Sequence, residues 1–355
     1  MKTTTDISTD CISLLRDLIQ VESLSGQEEK TADIIASFFA QRGISCQRIH
    51  HNIIAKSDHW SEEQPLVVLN SHHDTVKIGE GWTYNPLGAE VVDGKLYGRG
   101  SNDAGGALVS LIGAFVELFD KALPYNLMLI ASGEEENFGP HGVSSVLKKL
   151  DRDPDLAIVG EPTQMRIGIA EKGLIVIDGV TEGRSGHAAR DNGVNALYKA
   201  TEDIEFIKQL EWSKVSDHLG TTKTTVTQVN SGTQHNVIPD QCSYVIDCRV
   251  NEKYTLQEVV DILDEGTHAK LTPRSLKWHP SGIDKNHPVV RSGLKIGRPL
   301  IGSPTLSDQV HFSCPSIKIG PGKSERSHTT DEFIYLDEIR EGIEIYLALL
   351  RDLQL

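Results

Sequence analysis

The sequence predicts an α/β fold: a mixed, mostly parallel sheet with helices on both faces, and an inserted ferredoxin-like α+β domain. In the first half of the chain, short apolar runs alternate with helical patterns, which is typical of such a sheet. Within 173–284 the elements follow the order β-α-β-β-α-β of a split ferredoxin-like arrangement. From about 285 the apolar and Gly-containing pattern of the first region resumes. We therefore predict one larger domain, formed by 1–172 and 285–355, and one insert, 173–284.

The first region opens with two amphipathic helix patterns. Apolar residues recur at helical spacing over 8–21, and a second helix runs through Ala32 and Phe39 to Gly43. The segment 25–29 is typical of a helix cap before that second helix. The elements predicted next are strands at 45–56 and 65–71, a buried helix at 107–116, a strand at 125–132, a helix at 142–150 and a strand at 156–160.

The insert and the last region complete the pattern. In the insert, the strands that alternate polar and apolar residues are expected to be half-exposed. The elements predicted there are a strand at 174–180, a helix at 194–210, strands at 224–229 and 243–250, a helix at 255–265 and a strand near 269–278. A strand at 316–320 and a closing helix at 333–353 are predicted for the last region.

Composition excludes several classes of partner. The 355 residues carry a net charge of −15, which makes nucleic acid and anionic membranes unfavourable partners. No run approaches the ~18 consecutive apolar residues that a membrane span requires. The segment from Met1 to Asp6 has no apolar signal core, so we expect a cytoplasmic location.

The five cysteines are odd in number and contain no CxxC pair. Cys242 and Cys248 are six residues apart on one predicted strand, so they share a face and are open to interpretation as metal ligands. We favour reduced thiols packed as small apolar groups, as in cytosolic proteins.

Three predicted strands end in residues that bind divalent metals. The run 66–71 leads into His72-His73-Asp74, the run 127–132 into Glu134-Glu135-Glu136, and the run 156–160 into Glu161. In parallel sheets the ligand site lies at the carboxyl ends of the strands. One such strand end is ordinary, but three in succession predict a metal centre.

His72 and Asp74 are two residues apart and so share a face of their strand. This spacing allows His72 to bind a metal while Asp74 orients its ring. The side chain of His73 is expected to point away from that of His72.

Asp103 lies in a glycine-rich segment, 98–106, directly before a predicted buried helix. An isolated Asp there would be interpreted as an N-cap. The flanking glycines, which let the backbone approach a ligand closely, and the other acidic strand ends favour a metal ligand instead.

The three glutamates after Gly133 are the most suggestive segment chemically. Adjacent carboxylates repel each other unless a cation or a proton neutralises one, and a metal ligand beside a general base meets that requirement. With His328 from the loop before the closing helix, the candidate ligands His72, Asp103, Glu135, Glu161 and His328 suit two zinc ions that share one carboxylate.

These motifs resemble the co-catalytic zinc peptidase/deacylase family that includes acetylornithine deacetylase, succinyl-diaminopimelate desuccinylase, aminoacylase and glutamate carboxypeptidase. The resemblance extends over essentially the whole chain. It rests on the ordered motifs His72-x-Asp74, Asp103-x-x-Gly106, Glu134-Glu135, Gly160-Glu161-Pro162, His328-Thr329 and, in the insert, Gly186-His187-Ala188 with Asn236-Val237-Ile238-Pro239.

The resemblance implies a role for each matching residue. Asp103 would bridge the two zinc ions, with His72 and Glu161 at one ion and Glu135 and His328 at the other, and Co²⁺ is a possible substitute metal. Asp74 would support His72, and Glu134 would be the general base. The family usually has Asp before its Glu-Glu pair, whereas Gly133 precedes three glutamates here, so Glu135 as base with Glu136 as ligand is the alternative to the favoured pair, Glu134 and Glu135. In the insert, which corresponds to the family's lid and dimerisation domain, the implied residues are His187 as an oxyanion donor from the partner subunit, Asn236 as a substrate contact, and Arg249 and Arg190 as carboxylate-binding residues.

The activity that the resemblance implies is removal of an N-acyl group, acetyl or succinyl, from an amino acid. The expected partners are a small-molecule N-acyl amino acid and a second copy of the chain. N-acyl-ornithine or N-acyl-citrulline of arginine biosynthesis is the favoured substrate, because chain length and the two-domain layout fit that branch. A succinyl-diaminopimelate desuccinylase, a dipeptidase or a carboxypeptidase of the same family is the alternative, and an inactive zinc-binding scaffold is a third hypothesis.

Overall fold

The structure, a computed structural model, describes residues 6–355. We predict that the segment from Met1 to Asp6 contains no signal core. Residues 1–5 of that segment lie outside the described residues. The helices are α1 (Ile7–Ile19), α2 (Glu29–Ala40), α3 (Gly106–Leu118), α4 (Val143–Leu147), α5 (Ala196–Gln209), α6 (Leu256–Gly266), α7 (Pro288–Lys295) and α8 (Leu336–Arg351). The strands are β1 (Cys46–Ile49), β2 (Asn52–Lys56), β3 (Leu66–His72), β4 (Val91–Val92), β5 (Lys95–Tyr97), β6 (Asn126–Ser132), β7 (Leu156–Val159), β8 (Ile167–Glu171), β9 (Gly173–Glu182), β10 (Gly186–His187), β11 (Lys223–Ser231), β12 (Val237–Ile238), β13 (Gln241–Val250), β14 (Lys270–Pro273), β15 (Ser281–Gly282), β16 (Leu300–Ser303), β17 (Ser316–Lys318) and β18 (Phe333–Tyr335).

The described chain divides into two compact units. The large unit contains the residues up to Ile169 together with Ile283–Ile301 and Ser307–Leu355. The inserted unit contains Ala170–Gly282 and also Gly302–Leu306, a short segment that is remote in sequence from the predicted insert. Each unit buries its own apolar cluster.

The sheet of the large unit is parallel at its centre and antiparallel at its margins. The strand order is β1-β2-β6-β3-β7-β17-β8. The neighbours β6-β3, β3-β7 and β7-β17 run parallel, whereas β1-β2, β2-β6 and β17-β8 run antiparallel. Because β3 pairs in parallel with both β6 and β7, the carboxyl ends of these three strands lie at one edge of the sheet.

The strands β3, β6 and β7 are buried along their whole length, as their continuous apolar runs predict. Helix α3 is buried on nearly every side, which agrees with its almost wholly apolar sequence. It packs between α1 and α8 in the main apolar cluster. No helix within residues 6–355 is both long enough and apolar enough to cross a membrane.

Some elements of the large unit differ from the sequence prediction. The run 45–56 is a hairpin rather than one strand, because the chain reverses at His50, whose φ is +54°. The predicted closing helix begins only at Leu336, since residues 333–335 form β18 and pair with β5. Neither β8 nor α7 was predicted.

The inserted unit has the predicted β-α-β-β-α-β order. Its four main strands form an antiparallel sheet in the order β11-β13-β9-β14, with α5 and α6 as the two helices. Cys242 and Cys248 are both fully buried on one face of β13, and all five cysteines are unpaired. Within the described range β11 has a strand neighbour on one side only, so it forms an edge of this sheet.

Candidate metal centre

The strand ends of the large unit bring His72, Asp103 and Glu161 together. His72 is the last residue of β3, and its Nε2 lies 3.4 Å from Asp103 Oδ1 and 3.8 Å from Glu161 Oε1. Glu161 follows β7, and Asp103 lies in the turn Ser101–Gly105 directly before α3. One ligand atom from each of the three lies within 4.8 Å of the others, so they are able to hold one cation.

A second group forms around the other oxygen of Asp103. His328 Nε2 lies 3.4 Å from Asp103 Oδ2 and 3.0 Å from Glu136 Oε2. These three residues also satisfy the spacing of a cation site. Asp103 therefore offers one carboxylate oxygen to each group, which is the arrangement that a bridging ligand requires.

The donor atoms fit divalent metal ions. In a tetrahedral zinc site with bonds of the usual length, ligand atoms are separated by about 3.4 Å. The distances from Asp103 to His72 and to His328 have that value. His72 Nε2 is buried and has no hydrogen-bond partner among the described residues. A buried ring nitrogen without a partner is costly, and a cation would satisfy it.

The electrostatics of the site also favour cations. Burial raises the pKa of Glu135 well above its usual range, and Glu161 raises it further, against an opposing effect of His72. Burial lowers the pKa of His72, but the surrounding carboxylates, Glu135 foremost, outweigh burial and raise it well above its usual value. Several buried carboxylates that share two imidazoles repel one another, and divalent cations would neutralise that repulsion.

Asp103 does not act as a helix cap. Helix α3 begins at Gly106, its N-cap is Gly105, and no side chain caps it. The carboxylate of Asp103 instead faces the two histidines. The capping hypothesis for this residue is therefore not supported.

The structure favours the second of the two glutamate registers. Glu134 Oε2 accepts a hydrogen bond of 2.9 Å from the His141 N–H, away from the two cation groups. Glu136, rather than Glu135, joins Asp103 and His328. Glu135 lies beside the first group, with Oε2 3.9 Å from His72 Nε2. The geometry therefore favours a shift of base and ligand by one residue, from Glu134 and Glu135 to Glu135 and Glu136. Glu134 itself turns the chain with a φ of +56°.

Asp74 supports both the histidine and the glutamates. His72 Nδ1 lies 3.0 Å from the carbonyl oxygen of Asp74 and 3.4 Å from its Oδ1. The backbone N–H groups of Glu135 and Glu136 each donate a hydrogen bond of 3.1 Å to the Asp74 carboxylate. Ser25, predicted as part of a helix cap, instead donates its hydroxyl to Asp74 at 2.7 Å. Asp74 therefore fixes the positions of residues from two strand ends.

His73 has a structural role, and its side chain points away from that of His72, as expected. Its Nδ1 lies 2.9 Å from Thr31 Oγ1 and its Nε2 lies 3.1 Å from the His51 carbonyl oxygen. Burial lowers the pKa of His73 to about 4, so the ring is neutral near pH 7. Both ring nitrogens of His73 thus have partners outside the two cation groups.

Glu332 holds the backbone of Asp103 and was missed in the sequence analysis. Its Oε1 accepts hydrogen bonds from the N–H groups of Asn102 and Asp103, at 2.9 and 3.0 Å. Its Oε2 accepts a bond of 2.8 Å from Arg99. Burial raises the pKa of Glu332 to about 7. In the sequence, Glu332 is marked only by its position three residues after Thr329 of the His328-Thr329 motif. Its role could not be predicted from that position, because its contact is with Asp103, 229 residues earlier.

Asp308 is a second buried carboxylate that the sequence analysis missed. It lies in a short helical turn, Asp308–His311, and accepts a bond of 2.6 Å from the hydroxyl of Ser132, the last residue of β6. Burial raises its pKa to about 6. Its charge adds to the negative potential around Glu135.

The candidate residues of the inserted unit are more exposed. His187, Arg190 and Asn236 are all exposed, and His187 lies on the short ladder between β10 and β12. Arg249 is half-buried, and its guanidinium donates two hydrogen bonds, of 2.8 and 3.0 Å, to Asp247. The structure gives these four residues no shared site within their unit, and their roles stay predictions.

Comparisons with known proteins agree with this fold. The sequence profile of the family described as "Peptidase family M20/M25/M40" matches residues 68–352. A succinyl-diaminopimelate desuccinylase 2 of Ruegeria sp. (strain TM1040) is 26% identical over 375 aligned positions, which cover 97% of this chain and 95% of the relative. A peptidase M20 domain-containing protein of Schizosaccharomyces pombe is 27% identical over 355 positions, covering 94% of this chain and 82% of the relative.

Solved structures share the fold over nearly the full length. The aminopeptidase PepT of Bacillus cereus ATCC 10987 superposes with a TM-score of 0.76 at 20% identity, covering 97% of this chain and 98% of that chain. The YxeP protein of Bacillus subtilis, described as a dinuclear metal-binding peptidase of family M20, has a TM-score of 0.71 at 18% identity, with 97% of each chain covered. The chain belongs to peptidase family M20/M25/M40 and is a hydrolase of amide bonds.

Proposed function

We propose that this protein is a two-metal deacylase that removes an N-acyl group from an amino acid. The observation that carries the proposal is the pair of ligand groups that share Asp103. His72 and Glu161 would hold one ion with Asp103, and Glu136 and His328 would hold the other. Imidazole and carboxylate ligands of this kind suit zinc, with Co²⁺ as a possible substitute. When bound, the ions would act as Lewis acids that polarise an amide carbonyl and lower the pKa of water to about 7.

Glu135 is the general base in this proposal. Its carboxylate lies beside the cation groups without belonging to either, which leaves it available for proton transfer. It would take a proton from the attacking water and then pass that proton to the leaving amine nitrogen. The balance is simple: the amide C–N bond breaks, a C–O bond forms, and the products are a carboxylic acid and an amine.

We also propose that the inserted unit completes the site in a homodimer. The open edge of β11 supports this, because an unpaired strand edge is a template for a strand of a second copy. His187 would donate a hydrogen bond from that copy to the oxyanion that develops on the substrate. The substrate contacts would come from Asn236, Arg190 and Arg249. To bind the substrate, the Arg249 guanidinium would give up one or both of its hydrogen bonds to Asp247.

Two classes of N-acyl amino acid are the proposed substrates. N-acetyl or N-succinyl derivatives of ornithine or citrulline are the first candidates, but chain length does not single them out, because the Ruegeria desuccinylase aligns over 95% of its own length. The name of the Ruegeria relative supports N-succinyl-diaminopimelate as the second candidate. Both candidates place a carboxylate near the scissile amide, which Arg190 and Arg249 suit chemically.

A substrate panel tests the proposal. The zinc-loaded protein would be assayed for amine release from N-acetyl and N-succinyl ornithine, citrulline, diaminopimelate and glutamate, and from a dipeptide. We expect N-acyl amino acids to be cleaved with a kcat/KM at least tenfold above that of the dipeptide, about 1.4 kcal/mol of transition-state discrimination. Preference for the dipeptide would contradict the deacylase assignment and support a peptidase of the same family.

A further inference from the structure

We propose that Glu28 is a positioning residue that determines which two of the three glutamates face the cation groups; this rests on the two-metal assignment above. Glu28 directly precedes α2 and is fully buried. Its Oε1 accepts hydrogen bonds from the backbone N–H of Gly26, at 2.8 Å, and of Glu134, at 2.9 Å. Its carboxylate does not cap its own helix. Glu28 therefore links the start of α2 to the first of the three glutamates.

Gly133 leaves the space that the Glu28 carboxyl group fills. A Cβ at Gly133 would lie 3.1 Å from both Cδ and Oε1 of Glu28, closer than ordinary van der Waals contact. A side chain at this position would push the carboxyl group away from the Glu134 N–H. Gly133 and the buried Glu28 therefore pack directly against each other.

The turn at Glu134 depends on these contacts. Glu134 has a φ of +56°, a left-handed conformation that non-glycine residues rarely adopt. Three hydrogen bonds hold it there: its N–H donates to Glu28, its carbonyl oxygen accepts from Gly139 at 2.9 Å, and its Oε2 accepts from His141. Because Glu134 turns the chain, the next two N–H groups face Asp74 and the next two side chains face the cation groups.

Glu28 acts only through the backbone. It belongs to neither cation group, and its Oε2 has no hydrogen-bond partner among the described residues. Removing its acceptor oxygen would leave the buried Glu134 N–H without a partner and free the strained residue to relax. Glu136 would then lose its position beside His328.

The test compares Glu28→Leu with Glu28→Gln, whose amide oxygen is still able to accept both hydrogen bonds. Glu29→Leu is the matched control, because Glu29 is the adjacent glutamate and is exposed. In the metal-free protein, we expect Glu28→Leu to raise the amide exchange rate over residues 133–137 by roughly tenfold or more. In a Co²⁺ titration followed by the visible spectrum, its affinity for the second ion should fall by about 10- to 100-fold. Glu28→Gln and Glu29→Leu should resemble the wild type in both measurements.

Several results would overturn the inference. It fails if Glu28→Leu keeps wild-type exchange and Co²⁺ spectra, or if Glu28→Gln is as impaired as Glu28→Leu. Should Glu28→Leu not fold, Gly133→Ala serves instead, and unchanged loop exchange in that variant would contradict the proposal. The exchange measurement needs no metal. A wild type that binds fewer than two Co²⁺ would contradict the metal assignment. If amide exchange over residues 133–137 were still faster in Glu28→Leu, the positioning role of Glu28 would nevertheless be supported.

Discussion

The candidate residues of the two units differ in how firmly the protein holds them. In the large unit, His72 and Glu161 lie at strand ends and are buried. Buried carboxylates accept hydrogen bonds from the backbone of neighbouring site residues: Asp74 from Glu135 and Glu136, and Glu332 from Asp103. His328 is the exception, because it lies in a loop and is exposed. In the inserted unit, His187, Arg190 and Asn236 are exposed. The large unit therefore presents a prearranged cation site, whereas the roles that we propose for the residues of the inserted unit depend on a substrate or a second copy.

The largest expected effect is a difference in kcat between variants of two neighbouring glutamates of the large unit, Glu135 and Glu134. Glu135→Gln should lower kcat by about 10²- to 10⁴-fold while the metal content stays unchanged, because it removes the group that carries the proton. Glu134→Gln is the matched control and should keep most of the activity, since its carboxylate faces His141. Steady-state kinetics with metal analysis measures both. If Glu134→Gln were the inactive variant, the register favoured by the structure would be incorrect.

A smaller effect is expected for the inserted unit. His187→Ala should lower kcat by about 10²- to 10³-fold, as for removal of one oxyanion donor, with metal content and folding unchanged. If His187 acts on the site of a second copy, mixing His187→Ala with Glu135→Gln should give more activity than either variant alone. Native mass spectrometry would verify that mixed dimers form. Mixed dimers without recovered activity would argue against action across the interface.

Much of the large unit could be predicted from sequence because its signals are local. Continuous apolar runs identified β3, β6 and β7, and the rule that ligands lie at the carboxyl ends of parallel strands placed His72 and Glu161 near one another. The long helices followed from apolar spacing in the same way. Elements with weak periodicity, such as β8 and α7, were not predicted.

The features of the site that could not be predicted from the sequence depend on contacts between residues that are distant in sequence. Three identical side chains in a row contain no information about register, which here depends on the left-handed φ of Glu134 and on its contact with Glu28, 106 residues away. Residues 25–29 are typical of a helix cap, yet Ser25 and Glu28 both serve the strand-end loops. Glu332 and Asp308 had no motif of their own, because only the fold brings them to the site.

The most direct test of the two groups that share Asp103 is a count of bound metal. Inductively coupled plasma mass spectrometry after gel filtration should find two ions per chain in the wild type and in Glu134→Gln. It should find about one ion in Glu136→Gln, which loses a carboxylate ligand of the second group. Two ions retained in Glu136→Gln, with one lost in Glu134→Gln, would contradict the proposed site.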